Sequence, residues 1–116
     1  MTPIVLYYYV TESGKPPFLE WLNSIRDKKT VAAIDVRLDR IVLGNFGDCK
    51  AIGDDLYELR IFSGPGYRIY FGREETSIII LLSGGDKSSQ KRDIDKAKEY
   101  WSNYRSREDN DKKKTI

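Results

Sequence analysis

The chain has 116 residues, of which 40% are hydrophobic, and this is enough for one domain with one core. Its 20 basic and 18 acidic residues leave a net charge of only +2, so any nucleic-acid-binding patch has to be local. The chain contains one cysteine and no histidine, which excludes an internal disulfide framework, a Cys/His zinc site and a Ser-His-Asp triad.

The first half of the chain predicts a strand followed by a helical hairpin. Residues Ile4–Val10 are rich in β-branched and aromatic side chains, which is typical of a strand. This apolar run is too short for a signal peptide or a membrane span, so we expect a soluble, cytoplasmic protein. Helical spacing over residues 17–43 predicts two helices, the first with Trp21 as a core anchor. Asp27 is expected to cap the N-terminus of the second helix, and Gly44 is expected to end it.

The second half begins with three predicted antiparallel strands. Apolar side chains alternate over residues 57–61 and again over residues 67–71. The continuous apolar run Ser77–Leu82 suits a central strand covered on both faces, although a short buried helix has the same signal. We expect a meander of these three strands, joined at its edge by the first strand of the chain.

The remaining residues predict a helix and a tail. Helical spacing returns over residues 88–104, with Trp101 as a core anchor. Residues 105–116 are a run of mixed charges, which favours a flexible tail. The element order β-α-α-β-β-β-α therefore indicates one α+β domain over residues 1–104.

The apolar faces of the first two strands of the meander match if Ile61 pairs with Tyr67, Leu59 with Ile69 and Tyr57 with Phe71, and a slip by one residue would expose them. This register places Arg60 opposite Arg68 and Glu58 opposite Tyr70, with a hairpin loop at Phe62–Gly66. Like charges directly opposite each other cost up to about 1 kcal/mol. The face is either solvated, with Glu58 neutralising one arginine, or an anion site at which two guanidinium groups hold a phosphate.

The segment LLSGGDKSSQKRDI combines a glycine pair with a lysine and two serines. A Walker A loop is excluded because Asp86 separates Gly85 from Lys87 and no earlier glycine has the required spacing. We expect a strand-to-helix turn in which Gly84 and Gly85 adopt unusual backbone angles and Asp86 or Ser88 caps the helix. Lys87 would then lie beside a helix N-terminus, where an anion is favoured.

Three segments carry a resemblance to a known family, namely FLEWLNSIRD, VRLDRIVLGNFGDCKAIGDDLYELRIFSGPGYRIYF and LLSGGDKSSQKRDIDKAKEYW. In this order and spacing they resemble the RelE/ParE superfamily of bacterial toxins, and most of all its phage-derived, HigB-like branch of addiction-module killer proteins. The resemblance covers roughly residues 16–104. It implies a RelE-like fold, in which a helical hairpin packs against an antiparallel sheet.

The resemblance also implies a function. Such a chain is the toxin of a type II toxin–antitoxin system, a ribosome-dependent endoribonuclease in which the RNA 2′-hydroxyl attacks the adjacent phosphate without a metal or other cofactor. The implied partners are messenger RNA on the ribosome and a cognate antitoxin with a helix-turn-helix fold, with operator DNA reached only through the antitoxin and with no membrane. By their positions in the family motifs, Arg60, Arg68 and Lys87 are the implied catalytic residues. The strand register adds Tyr70 on the same face.

The chain departs from the family pattern in one respect. Many HigB-like relatives carry a histidine and paired lysines after the last strand, where this chain has SGGDK, so the general base is unassigned. Two alternatives follow from the same resemblance. One is a ParE-like toxin that poisons DNA gyrase by binding it, and the other is an inactive relative that only binds its antitoxin.

Overall fold

The computed structural model describes residues 3–61 and 64–116, so the first two positions of the expected loop Phe62–Gly66 lie outside the described residues. The described strands are β1 (Val5–Tyr9), β2 (Cys49–Gly53), β3 (Leu56–Ile61), β4 (Tyr67–Glu74), β5 (Ile78–Gly85) and β6 (Lys113–Thr115). The described helices are α1 (Pro17–Ser24), α2 (Lys28–Val42) and α3 (Gln90–Ser106), with short 3-10 turns at Lys87–Ser89 and Asn110–Lys112. Within these two ranges, every helix is too short or too polar to cross a bilayer.

The strands form one mixed sheet in the order β2-β3-β4-β5-β1-β6. Strands β2 to β5 follow one another as an antiparallel meander, as the sequence predicted for the last three of them. Strand β1 lies parallel to β5, and the chain returns from α3 to add β6 antiparallel to β1. The fold is therefore α+β, with the helical hairpin inserted between β1 and the meander.

Helices cover both faces of this sheet. Helices α1 and α2 pack on one face around a buried cluster that includes Phe18, Ile34, Ile69 and Leu81. Helix α3 packs on the opposite face around a second cluster that includes Tyr70, Ile80 and Trp101. Strand β5 contributes buried side chains to both clusters, which confirms that its apolar run is a central strand rather than a helix.

The expected ends of the second helix are confirmed. The Asp27 side chain accepts a hydrogen bond from the Lys29 backbone N–H at 3.1 Å and so satisfies one of the free donors at the N-terminus of α2. Helix α2 ends at Val42, and Gly44 follows with a φ of +87°, the left-handed conformation that a glycine adopts without strain.

The expected strand count was wrong, because the described residues form six strands rather than four. Strand β2 is a partly exposed edge strand with an irregular register before Gly53, so it lacks a clean alternation of apolar and polar residues. Strand β6 consists of Lys113, Lys114 and Thr115, a composition that is typical of a charged edge strand and not of a core strand. Because β6 covers β1, the first strand of the chain is not at the edge of the sheet.

Residues 105–116, for which the sequence favoured a flexible tail, include the end of α3, a 3-10 turn and β6. Arg107 holds the start of this segment, because its Nη1 donates to the Val10 carbonyl at 2.7 Å. Lys113 holds its end: the Nζ atom lies 3.2 Å from the Glu74 carboxylate and 2.9 Å from the Tyr104 hydroxyl. Contacts with residues far away in the sequence therefore hold residues 105–116 against the domain, although their own composition favours disorder.

Candidate anion-binding site

The predicted register of β3 against β4 is confirmed, with Arg60 opposite Arg68 and Glu58 opposite Tyr70. These four side chains lie on the face of the sheet that α3 covers. The expectation of a solvated face was therefore only partly right. Helix α3 buries Glu58 and Tyr70, while Arg60 and Arg68 lie nearer the end of the sheet, where they keep 37% and 13% of their side-chain surface exposed.

Glu58 is the centre of the site, with only 1% of its side chain exposed. Its Oε1 accepts a hydrogen bond from the Arg60 Nε at 3.2 Å. Its Oε2 accepts from the Tyr70 hydroxyl at 3.1 Å and from the Gln90 Nε2 at 2.9 Å, and it lies 3.7 Å from the Arg68 Nε. One carboxylate therefore stands between both arginines and explains how two like charges are accommodated side by side.

The ionisation of this buried cluster follows from its contacts. Burial alone would raise the pKa of Glu58, but hydrogen bonds from Gln90, Arg60 and Tyr70 and the charge of Arg68 lower the pKa below its usual value. Burial, followed by the neighbouring charge of Glu58, strongly raises the pKa of Tyr70. At neutral pH Glu58 is therefore a carboxylate and Tyr70 a neutral hydroxyl that donates to it.

The structure argues against direct contact between Tyr70 and a substrate. The side chain is fully buried, so it offers no free ring face for a base and no hydroxyl to solvent. The sequence placed Tyr70 on the correct face, but it gave no indication that α3 lies over that position. Tyr70 holds Glu58 in place instead.

Lys87 lies beside the arginines. Its backbone N–H donates to the Pro65 carbonyl at 3.4 Å, which joins the turn after β5 to the turn between β3 and β4. A Cβ atom built on Gly66 would lie 3.4 Å from the Lys87 Cβ and 3.5 Å from the Arg68 Nη1, so both residues flank the same glycine. Lys87 is exposed, and its side chain starts on the other side of Gly66 from the Arg68 guanidinium.

The glycine pair has a different role from the expected one. Gly84 and Gly85 belong to β5, and neither adopts a positive φ. A side chain at Gly84 would overlap the Trp21 ring, and one at Gly85 would overlap the Asp93 carboxylate. Close approach of these two groups therefore requires the glycines. Asp86 caps the 3-10 turn Lys87–Ser89, since its Oδ1 accepts from the Ser88 N–H at 2.8 Å, whereas the cap residue of α3 itself is Ser89, whose side chain makes no capping hydrogen bond.

Sequence reasoning missed two residues that support the site. Gln90, the first residue of α3, bonds Glu58 across 32 positions of sequence, and a surface glutamine gives no signal of such a contact. Arg37 on α2 donates to the Arg60 carbonyl at 2.6 Å and to the Phe46 carbonyl at 3.2 Å. Arg37 directly precedes Leu38, a buried residue of α2, and this position at the border of the buried stripe could have indicated that Arg37 is partly buried.

The arrangement is suited to binding an anion with several oxygen atoms. Arg60, Arg68 and Lys87 supply three positive charges at one end of the sheet, and Glu58 offsets one of them. Guanidinium groups bind phosphate oxygens through paired N–H donors, and partial burial strengthens these bonds. Within residues 3–61 and 64–116, no group of three or more His, Cys, Asp or Glu residues is arranged to hold a metal ion.

Comparison with known proteins gives two matches. The family model described as phage derived protein Gp49-like (DUF891) matches residues 20–102, which include both arginines, Glu58 and Lys87. An uncharacterized protein of Haemophilus influenzae (strain Rd) is 44% identical over 81 residues, a stretch that covers 70% of this chain and 82% of the relative.

Proposed function

Because the chain belongs to the phage-derived Gp49-like family, which is known in toxin–antitoxin systems, we propose that it is the toxin of a type II toxin–antitoxin system. In this proposal it is a HigB-like member of the RelE/ParE superfamily that cuts messenger RNA on the ribosome, in the cytoplasm. The observation that carries the proposal is the pair of arginines held side by side by the buried Glu58 carboxylate, with Lys87 on the far side of Gly66 from Arg68. Such an arrangement suits a phosphate and serves no evident need of the core.

The proposed reaction uses the RNA as its own nucleophile. The 2′-hydroxyl loses its proton to solvent water as its oxygen forms a bond to the adjacent phosphorus, the bond to the 5′-oxygen breaks, and the products are a 2′,3′-cyclic phosphate and a 5′-hydroxyl. Arg60 and Arg68 stabilise the extra negative charge of the pentacoordinate transition state. Lys87, which is exposed and flanks Gly66, donates a proton to the leaving 5′-oxygen.

Glu58 and Tyr70 act as positioning residues in this proposal. A guanidinium group on a flexible side chain gains most as a catalyst when its orientation is fixed before the substrate binds. Glu58 accepts a hydrogen bond from the Arg60 Nε and forms an ion pair with the Arg68 Nε at 3.7 Å, while the Arg68 Nη1 donates to the Gly66 carbonyl at 2.9 Å. Tyr70 and Gln90 in turn fix the carboxylate.

An exposed apolar patch supports a protein partner, which we propose to be the antitoxin. Four of the five large hydrophobic side chains that are exposed in the described residues, namely Val5, Val42, Leu43 and Ile116, line two adjoining grooves. Ile4 and Val42 are common to both grooves, so the two form one continuous surface between α2 and the β1–β6 edge. Contiguous exposed apolar surface of this kind is typical of protein interaction sites.

We expect Leu43→Asp to separate antitoxin binding from toxicity. Leu43 is 81% exposed, so the charge is tolerated in the free protein but opposes burial under a partner. Growth arrest should persist, while the affinity for the cognate antitoxin, measured by calorimetry, should fall by about tenfold or more. Val36→Asp, at an exposed valine of α2 outside both grooves, is the matched control. Equal antitoxin affinity for the two variants and the wild type would contradict this assignment.

The proposed function is tested by induction of the chain alone in a bacterium. We expect growth arrest, and primer extension should reveal new 5′ ends within translated messages whose upstream fragments carry a 2′,3′-cyclic phosphate. The purified chain should still cleave messenger RNA on purified ribosomes in the presence of EDTA. For this test, a polyamine that keeps the ribosomes assembled replaces the magnesium. Arrest without cleavage, together with loss of supercoiling by purified gyrase, would instead identify the ParE-like activity. No arrest at all would identify an inactive relative.

A further inference from the structure

A groove of ≈ 390 Å³ opens between α1, the end of β5 and the start of α3. Two aromatic rings, Trp21 and Tyr67, line one side of it, and the polar side chains of Asp86, Ser89 and Asp93 line the other. This volume is in the range of small-molecule sites. None of the three cations of the anion-binding site lines this groove.

The glycine pair shapes this groove. Gly84 lets the Trp21 ring lie directly on the backbone of β5, and Gly85 does the same for the Asp93 carboxylate on the other face of the strand. Any larger residue at either position would push these groups outward into the groove. The groove thus has an aromatic wall, formed by Trp21 and Tyr67, and an acidic wall, formed by Asp86, Ser89 and Asp93. Between the two walls, β5 carries only the two glycines.

The aromatic wall suits a flat, unsaturated ligand. The Trp21 and Tyr67 rings lie edge to face with their centroids 6.1 Å apart, and both side chains are only partly buried. Unpaired nucleobases are commonly held on such aromatic side chains, and each stacked base contributes about 1–3 kcal/mol.

The opposite wall suits hydrogen-bond donors. Asp93 is oriented by Ser89, whose hydroxyl donates to the Asp93 Oδ2, and a carboxylate retains further acceptor positions on both oxygens. Among the four RNA bases, guanine presents two adjacent N–H donors, at N1 and N2, which match the two oxygens of one carboxylate.

We propose that this groove is a nucleobase subsite with a preference for guanine, and that it holds the nucleotide next to the phosphate bound by Arg60, Arg68 and Lys87. The two sites adjoin because Asp86 precedes Lys87, and because Gly85, which lines the groove, is the partner of Arg68 in the sheet. That the natural ligand is RNA rests on the proposed function, whereas the binding of a guanine nucleotide can be measured independently of it.

The test is a titration of the uniformly ¹⁵N-labelled protein with GMP, AMP, CMP, UMP and inorganic phosphate. The chain has two tryptophans, so its NMR spectrum has two indole N–H signals. We expect GMP to shift the Trp21 signal and to leave Trp101 unchanged, because Trp101 lies on the other face of the sheet and its indole N–H donates to the Asp54 carbonyl. Phosphate should move signals of the arginines and Lys87 without moving Trp21.

The preference is tested with one variant and a matched control. Asp93→Asn replaces one acceptor of the pair and should weaken GMP binding about tenfold, while UMP binding changes little. Asp95→Asn makes the same chemical change on the same helix at an exposed position outside the groove, and it should leave GMP binding as in the wild type.

The proposal is overturned if about 10 mM GMP, a concentration suited to the weak binding of a single nucleotide, leaves Trp21 unshifted. It is also overturned if all four nucleotides bind equally, or if Asp95→Asn weakens GMP as much as Asp93→Asn does. Failure of the proposed function looks different. In that case GMP still binds at Trp21, but induction of the chain produces no cleaved messages.

Discussion

Arg60→Ala is expected to reduce cleavage of messenger RNA by about a hundredfold or more, the usual effect of removing one preorganised donor to a transition-state oxyanion. Arg60 is more than a third exposed, and Glu58 keeps Arg68, Tyr70 and Gln90 as partners when Arg60 is removed, so Arg60→Ala should destabilise the fold far less than a change at Glu58 does. The measurement is the rate of cleavage of a message on purified ribosomes under single-turnover conditions, with growth after induction as a second readout.

Two further variants show whether the effect comes from the guanidinium group itself. Arg60→Lys keeps the charge but loses the paired N–H donors, so we expect it to recover only a small part of the activity. Arg40→Ala removes an exposed arginine of α2 away from the site and should behave as the wild type. If Arg60→Ala cleaved messages as fast as Arg40→Ala did, the proposed role of the arginine pair would be wrong.

Glu58→Gln is expected to lower the free energy of unfolding at pH 7 by about 3 kcal/mol, which is the lower end of the usual cost of breaking a buried ion pair. The amide keeps the shape of the side chain but removes the negative charge that Arg60 and Arg68 share. Glu108→Gln, at an exposed glutamate, is the control and should change stability by no more than a few tenths of a kcal/mol. Urea unfolding followed by circular dichroism measures the differences.

The effect of Glu58→Gln should depend on pH in a defined direction. The pKa of Glu58 is lower in the folded protein than its usual value of 4.5, so the stabilisation it provides is fully present above that value. It is lost as the pH falls through the depressed folded-state pKa. The difference in unfolding free energy between the wild type and Glu58→Gln should therefore shrink as the pH is lowered from 7 towards 3. A difference that stayed constant over this range would show that charge is not the cause.

The sequence predicted the strands and the register well because both depend on local periodicity. Leu59 and Ile69 have to face the same core, and a shift by one residue would expose both of them. That constraint was sufficient to place Arg60 opposite Arg68. The edge strands β2 and β6 escaped prediction because their pairing with neighbours, and not their own composition, stabilises them.

The interior of the site could not be predicted because it depends on where α3 lies. Periodicity identified α3 as a helix but could not show that it covers Glu58 and Tyr70, or that Gln90 reaches the carboxylate. The role of the glycine pair was missed for the same reason. A glycine that makes room for Trp21 and a glycine that bends a turn look alike in a sequence.

Helix α2 belongs to both functional surfaces proposed for the chain. Arg37, in its middle, holds the backbone of Arg60, while Val42 and Leu43, at its end, belong to the apolar patch. A partner that displaced α2 on binding would displace the Arg60 backbone with it, so neutralisation of the toxin would not require the partner to cover the arginines. Binding of the partner would then weaken the binding of an RNA analogue to Arg60 and Arg68. Because coupling between two sites is reciprocal, the analogue would weaken the binding of the partner by the same factor.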